Sequence, residues 1–560
     1  MAPTGPDGRE GRTTARSPKS IQTPLDKLLA LALESPPFPS LPFPAWRRME
    51  KATQAMLDSE AEWGRFPSSF ENAFRCAELI YLNGDECAAE EIWRLLAPAA
   101  QRAGRCDVAV YAAARVGRCA SDWEEHDEAM EWYRMGLAWS RSLPPGHPAR
   151  AALVFQRGTT YKMLDEWDKA KKDFLKGLQW EGMDPELTMR WEGMEPEALR
   201  SYRSNSLIDL CLDRLHRDPS APATLLGEAA SWLEYARRGA TTPRTRALLL
   251  ANEAELAWQR GELREAFRRT RELLSDTSLP ADVLDRYKPW LYRLLAMVAL
   301  EQGELSEAQL QAGYALDVLG TWRYPYVERV VIRDLLAIFT RKHQSRYGGY
   351  REDAVLGGLA EEGGWVFALV DYMESRDVYL VPGHGRAVAA VSKVLGEAAS
   401  ALPAARNGKV DRVYLEGAAL LHDIGKLKIA WSLLNRTRPL TPIYERRFQR
   451  HVVLGARILE DMGFSMTARL LEEHHERADG SGYPSGLREL SLAGGLLALS
   501  EALVDLCSRT KHRRPPLPVE AAVAWCLGEG AGGFHPVALE ALELAAESGA
   551  LVSVGALRNR

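Results

Sequence analysis

Cysteine is scarce in this chain, seven in 560 residues, and none forms a C-x-x-C pair. Cys76, Cys87, Cys106, Cys119, Cys211, Cys507 and Cys526 are odd in number and widely spaced. That excludes a disulfide framework or a zinc knuckle and reads as buried thiols of a reducing, cytoplasmic compartment. Long apolar runs are missing as well. No stretch approaches the ~18 apolar residues of a membrane span, so no membrane partner is expected. Nor is there a charge excess: Lys+Arg 71 against Asp+Glu 76 leaves −5, far from the basic surplus that non-specific nucleic-acid binding needs. The first two dozen residues mix Gly, Pro, Arg, Ser and Thr without an apolar core and read as a disordered N-terminus over 1–24, before a helical segment over 25–67.

What the chain has is ordinary globular composition, 46% hydrophobic and 26% charged, and length for more than one core. Histidine divides it. The first 340 residues hold His126, His147 and His216, whereas His384, His422, His451, His474, His475, His512 and His535 crowd the back third.

Over the front part small residues and aromatics recur at helical-hairpin spacing: Gly84, Ala89 and Trp93; Gly117, Ala129 and Tyr133; Gly158, Tyr161, Ala170 and Phe174. The turn Gly261-Glu262-Leu263 before Glu265-Ala266 returns as Gly303-Glu304-Leu305 before Glu307-Ala308. Each unit reads as helix, turn, helix, with small residues letting two backbones approach while an aromatic fills the next gap. The pattern resembles the tetratricopeptide repeat with a period longer than that family's ~34 residues. We place such repeats at 68–339, blurring near 181–245, and expect their concave surface to bind a protein partner. The Gly-rich, basic stretch that follows reads as a linker over 340–372.

In the back third, Leu421-His422-Asp423-Ile424-Gly425-Lys426, then His451, then Glu473-His474-His475-Glu476 sit beside apolar helical runs. On a helix, neighbours project ~100° apart, so His422-Asp423 and His474-His475 can each serve two sides of a cation pair. Imidazole with carboxylate suits iron, manganese or zinc better than magnesium or calcium. Paired cations can activate water, polarise a phosphoryl oxygen and stabilise the leaving oxygen, so phosphoester hydrolysis is the natural reaction.

These motifs, with Arg477-Ala478-Asp479-Gly480-Ser481-Gly482-Tyr483-Pro484, resemble the HD-GYP domain over about Glu374 to Leu544. The resemblance implies an all-α protein in which a metal-dependent phosphohydrolase domain, placed at 373–548 before a tail at 549–560, follows the repeats. It implies hydrolysis of cyclic di-GMP to pGpG or GMP with two or three divalent cations, iron or manganese. By position, His384, His422, Asp423, His451, His474 and His475 match the family's metal ligands, with Asp423 bridging. Lys426 matches the lysine that approaches the scissile phosphate. Arg477, Asp479, Gly480, Gly482, Tyr483 and Pro484 form the GYP loop, which borders the active site and is linked to partner recognition in the family.

There are departures. Glu501 stands where a metal-binding Asp is usual and is expected to complete the site through its longer side chain. Val504 replaces a second Asp, with Asp505 next to it; the segment 507–515 is longer than usual, and His535 occupies a common Asp position. The alternative is therefore a catalytically weakened domain used for messenger sensing or interaction, with the repeats as its protein-binding surface.

Overall fold

The computed structural model describes residues 67–551 except 83, 179–184, 193–194, 219, 322–330, 333, 336–363, 381, 405–409 and 509–514, together with four isolated residues before 67. The expected segment 1–24, nearly all of 25–67, most of the 340–372 linker and most of the 549–560 tail lie outside it. Among the described residues all regular structure is helical, as expected. The seven cysteines are unbridged, and all but the half-buried Cys106 are buried.

From the N-terminal side the helices come in pairs: α1 (Pro67–Leu82) with α2 (Glu86–Arg102), α3 (Cys106–Asp122) with α4 (His126–Trp139), and α5 (Pro148–Met163) with α6 (Trp167–Leu178). A short α7 (Pro185–Glu192) precedes α8 (Pro196–Arg217) with α9 (Thr224–Arg238), α10 (Pro243–Gln259) with α11 (Leu263–Leu274), and α12 (Ala281–Glu301) with α13 (Leu305–Thr321). Each pair is tight, and first helices also touch those of neighbouring pairs, as α3 does α5 and α10 does α12.

The recurring small residues explain the closeness. A Cβ on Gly117 would fall 2.6 Å from the Tyr133 ring, and one on Gly158 2.9 Å from the Phe174 ring. The returning turn is a left-handed helix stop. Gly261 and Gly303 sit at φ 75° and 79°, and the next amides, of Glu262 and Glu304, reach back to the Ala257 and Ala299 carbonyls at 2.9 Å.

Residues 364–372, expected in the linker, are instead helical within α14 (Gly364–Ser375), which packs against α13. The apolar side chains Leu369, Val370 and Met373 are what draw it in: they join Leu294 and Leu316 of the last pair in one core with Leu421, Ile424 and Leu459.

Beyond α14 follow α15 (His384–Ala401), α16 (Arg412–Leu421), a 3-10 turn at Ile424–Lys428, α17 (Trp431–Leu434), α18 (Pro442–Gln449), α19 (His451–Asp461), α20 (Ser465–Leu471), α21 (Leu492–Cys507), α22 (Val519–Leu527) and α23 (Pro536–Glu547). Val388, Leu395, Leu415, Leu497 and Leu542 of α15, α16, α21 and α23 form a second core here. The paired helices meet this domain at both ends: α12 and α13 through the shared core, and α2 and the α3–α4 turn through Cys87 and Trp123, which pack with Ile429, Leu433 and Tyr444.

Candidate metal centre

Helix ends and turns, rather than helix faces, present the histidines. His384 opens α15, His422 closes α16, His451 opens α19, and His474-His475 follow α20 in a turn. The expectation that His422-Asp423 and His474-His475 lie within helices is corrected here. The chain leaves α16 because Gly425 must press onto α19: a Cβ there would lie 1.8 Å from the His451 carbonyl oxygen. It leaves α20 because the buried Glu476 carboxylate gathers the amides of Ser485 and Leu487 at 2.6 and 2.9 Å, folding the following loop back.

One local device orients three of the imidazoles. His422, His451 and His474 each pair Nδ1 with the carbonyl three residues earlier, of Ala419, Phe448 and Leu471, at 2.8, 2.8 and 2.5 Å. With Nδ1 so engaged, each ring turns its Nε2 toward the site. His384 is set by Glu374, whose carboxylate takes the amides of Gly383 and Gly385 at 2.6 and 2.8 Å.

The side chains gather into two groups, His384, His422 and Asp423, and His451, His474 and His475, with donor atoms in each within 4.8 Å of one another. Asp423 joins them. Its Oδ2 lies 3.4 Å from His422 Nε2 and its Oδ1 3.7 Å from His451 Nε2. Glu501, buried on α21, belongs to neither group, but its Oε1 stands 3.5 Å from His475 Nε2. Lys426 Nζ donates to Asp423 Oδ2 at 2.6 Å.

In the GYP loop, Tyr483 stacks on His475 with ring centres 4.6 Å apart and donates its amide to the His475 carbonyl at 3.1 Å. Gly482 runs so close that a Cβ would meet the Arg477 amide nitrogen at 2.4 Å. Arg477 donates to the Glu476 carbonyl at 2.8 Å and lies over Phe534. Asp479 is exposed and accepts the Ser481 amide at 2.9 Å, which makes it a turn former. Gly480 holds φ 80°, and Pro484 is exposed. His535 caps α23, accepting the Val537 amide at 3.2 Å.

Burial drives most of the electrostatics of the centre. It pushes His384 down to about 3 and His451 to about 4, and holds His474 and His475 well below the usual imidazole range. Burial also opposes charge on His422, yet the Asp423 carboxylate outweighs it and raises that imidazole to about 9. Asp423 is held well below the usual range, Lys426 and His422 overcoming the cost of its burial. Burial lifts Glu501 to about 8 and Asp505 to about 6. Asp505 was not among the expected site residues; its spacing of one helical turn after Glu501 on α21 was the available signal.

Whether cations fit can be judged from unsatisfied atoms. Among the described residues, His422, His451 and His474 Nε2, Asp423 Oδ1 and Glu501 Oε2 are buried without a hydrogen-bond partner. Each such atom costs ~1–3 kcal/mol if left bare. Buried imidazole nitrogens and carboxylate oxygens converging unpartnered are what a divalent cation satisfies, and imidazole with carboxylate fits iron, manganese or zinc.

Residues 382–532 match the HD domain family. The chain is similar to a 3'3'-cGAMP-specific phosphodiesterase of Vibrio cholerae, 35% identical over 20% of this chain and 25% of that protein. It also resembles a cyclic di-GMP phosphodiesterase of Thermotoga maritima, 36% identical over 19% of this chain and 30% of the relative. A third is the cyclic di-GMP phosphodiesterase response regulator RpfG of Xanthomonas campestris, 31% identical over 23% of this chain and 35% of the relative. The chain thus spans a quarter to about a third of these curated relatives.

Proposed function

We propose, from the HD domain at residues 382–532 and the HD-GYP signature it carries, that this protein is a metal-dependent phosphodiesterase opening cyclic di-GMP to pGpG and on to GMP. The observation that carries the reading is the pair of buried donor groups facing one another across Asp423, with unpartnered atoms in both. Two divalent cations, manganese or iron, would supply water activation and charge neutralisation for in-line displacement at phosphorus.

The chain's own groups do the rest. Asp423 offers one oxygen to each side, and its lowered pKa keeps it ionised. His422, His451 and His474 hold Nε2 toward the centre through their Nδ1 bonds, and His384 and His475 complete the two groups. Lys426, kept protonated beside Asp423, is a compact positive charge suited to phosphoryl oxygens as their charge grows. Tyr483 fixes His475 by stacking, and Gly482 lets the loop pass close enough to do so.

Full-length protein loaded anaerobically with manganese or ferrous iron should linearise cyclic di-GMP, followed by chromatography of the products, and Asp423→Ala should abolish this. Turnover retained in that variant defeats the site assignment. A second reading, a weakened domain that senses the messenger or docks partners, is favoured by Glu501 standing outside both donor groups and by the buried, apolar Val504. Fewer than two cations per chain, with messenger bound but uncleaved, would select it.

A further inference from the structure

The segment between two of the candidate ligands, Asp423 and His451, is held by the far end of the helical pairs. Arg447 lies one turn before His451, and its side chain is 0% exposed. Its guanidinium donates to both Glu90 oxygens, at 2.7 and 3.2 Å, and its Nε to Glu125 at 3.1 Å. The rings of Trp123 and Tyr444 lie against it, 5.0 and 5.5 Å from the guanidinium carbon. Around this centre Arg436 and Arg438 pair with Glu91 at 2.5 and 3.0 Å, and Arg450 and Arg457 with Glu124 at 3.2 and 3.4 Å. Tyr444 donates its hydroxyl to the Cys87 carbonyl at 2.9 Å. One face is arginine and the other glutamate, over an apolar floor of Cys87, Trp123, Leu433 and Leu454.

We propose that Arg447 is a positioning residue for the metal centre, and that α2 and the α3–α4 turn form an in-chain clamp that sets His451 through it. The inference rests on the reading of His451 as a ligand. The physical path is short. Arg447, fixed by two carboxylates and two rings, fixes the adjoining Phe448, whose carbonyl pairs with His451 Nδ1 and so aims Nε2. A bidentate guanidinium holds a backbone turn in a way a flexible ammonium does not. Part of the repeat region is therefore occupied by the chain's own hydrolase domain.

The test uses the full chain and manganese alone. Manganese binding by equilibrium dialysis, and hydrogen exchange over 429–457, are measured for wild type, Arg447→Lys, Glu125→Lys and His451→Ala. Glu125 lies on a turn and makes no capping bond with its side chain, so its reversal should spare the hairpin fold if the Arg447 variant does not fold. The clamp variants should exchange faster over 429–457 and bind one manganese about tenfold more weakly, Arg447→Lys less severely than Glu125→Lys. His451→Ala should lose that same ion. Faster exchange with wild-type manganese binding overturns the inference alone, as does wild-type exchange in folded Glu125→Lys. Unchanged manganese binding in His451→Ala overturns the metal-site reading as well.

Discussion

Replacing Gly425 by alanine tests whether the two segments that carry candidate ligands interlock. The added Cβ would sit 1.8 Å from the His451 carbonyl oxygen and 2.6 Å from the Gly455 amide nitrogen, where ordinary contact begins at 3.4 Å. Both obstacles are backbone of α19, so no side chain can swing aside. The helix must retreat by about 1.6 Å, and overpacking against rigid backbone belongs at the upper end of the ~1–3 kcal/mol range. For a domain of this size that corresponds to a fall of roughly 6–12 °C in melting midpoint. The retreat carries His451 with it, and a metal–imidazole bond near ~2.1 Å does not survive a shift of that size. Thermal denaturation and manganese titration of the full chain should therefore show a lower midpoint and one cation fewer. An alanine variant with the wild-type midpoint and full manganese binding would refute the close approach of Gly425 to α19.

Two further outcomes follow from the site's charges and bare atoms. Burial raises the Glu501 carboxyl from 4.5 to about 8, so the metal-free folded chain binds this proton more tightly than the unfolded chain does, and its stability falls as pH rises from about 4.5 toward 8. Glu501→Gln does not titrate; chelated variant should gain on chelated wild type between pH 5 and pH 8, and an equal melting gap at both pH values contradicts the assignment. Because the unpartnered Nε2 atoms have no internal donor, manganese at a hundredfold over its dissociation constant should stabilise the chain by ~2.7 kcal/mol per site. EDTA should reverse this, and a melting midpoint indifferent to both would argue against a cation site.

Much of the architecture could be read from residue spacing because it rests on local rules. The Gly117–Tyr133 and Gly158–Phe174 contacts and the Gly261 and Gly303 turns are each set within a few dozen residues. The candidate ligands were legible for another reason: His422-Asp423 and His474-His475 are rare side-chain combinations joined to a long, ordered motif. What escaped was set by distance. Nothing near Arg447 announces Glu90 or Glu125, which lie 357 and 322 residues away, so residue spacing carries no sign of the buried clamp. The helical course of 364–372 was hidden by the glycines before it, and only the shared core with Leu294 and Leu316 reveals why the chain is ordered there. The turn placement of His474 and His475 depends on Glu476 meeting Ser485 and Leu487, a contact with no helical or strand period.

The central claim is that the two donor groups hold a pair of cations bridged by Asp423. Anomalous diffraction from crystals of the manganese-loaded full chain tests it most directly. The account predicts two peaks, one among His384, His422 and Asp423 and one among His451, His474 and His475, with an Asp423 oxygen on each. Peaks elsewhere, or none at full manganese occupancy in solution, would contradict it.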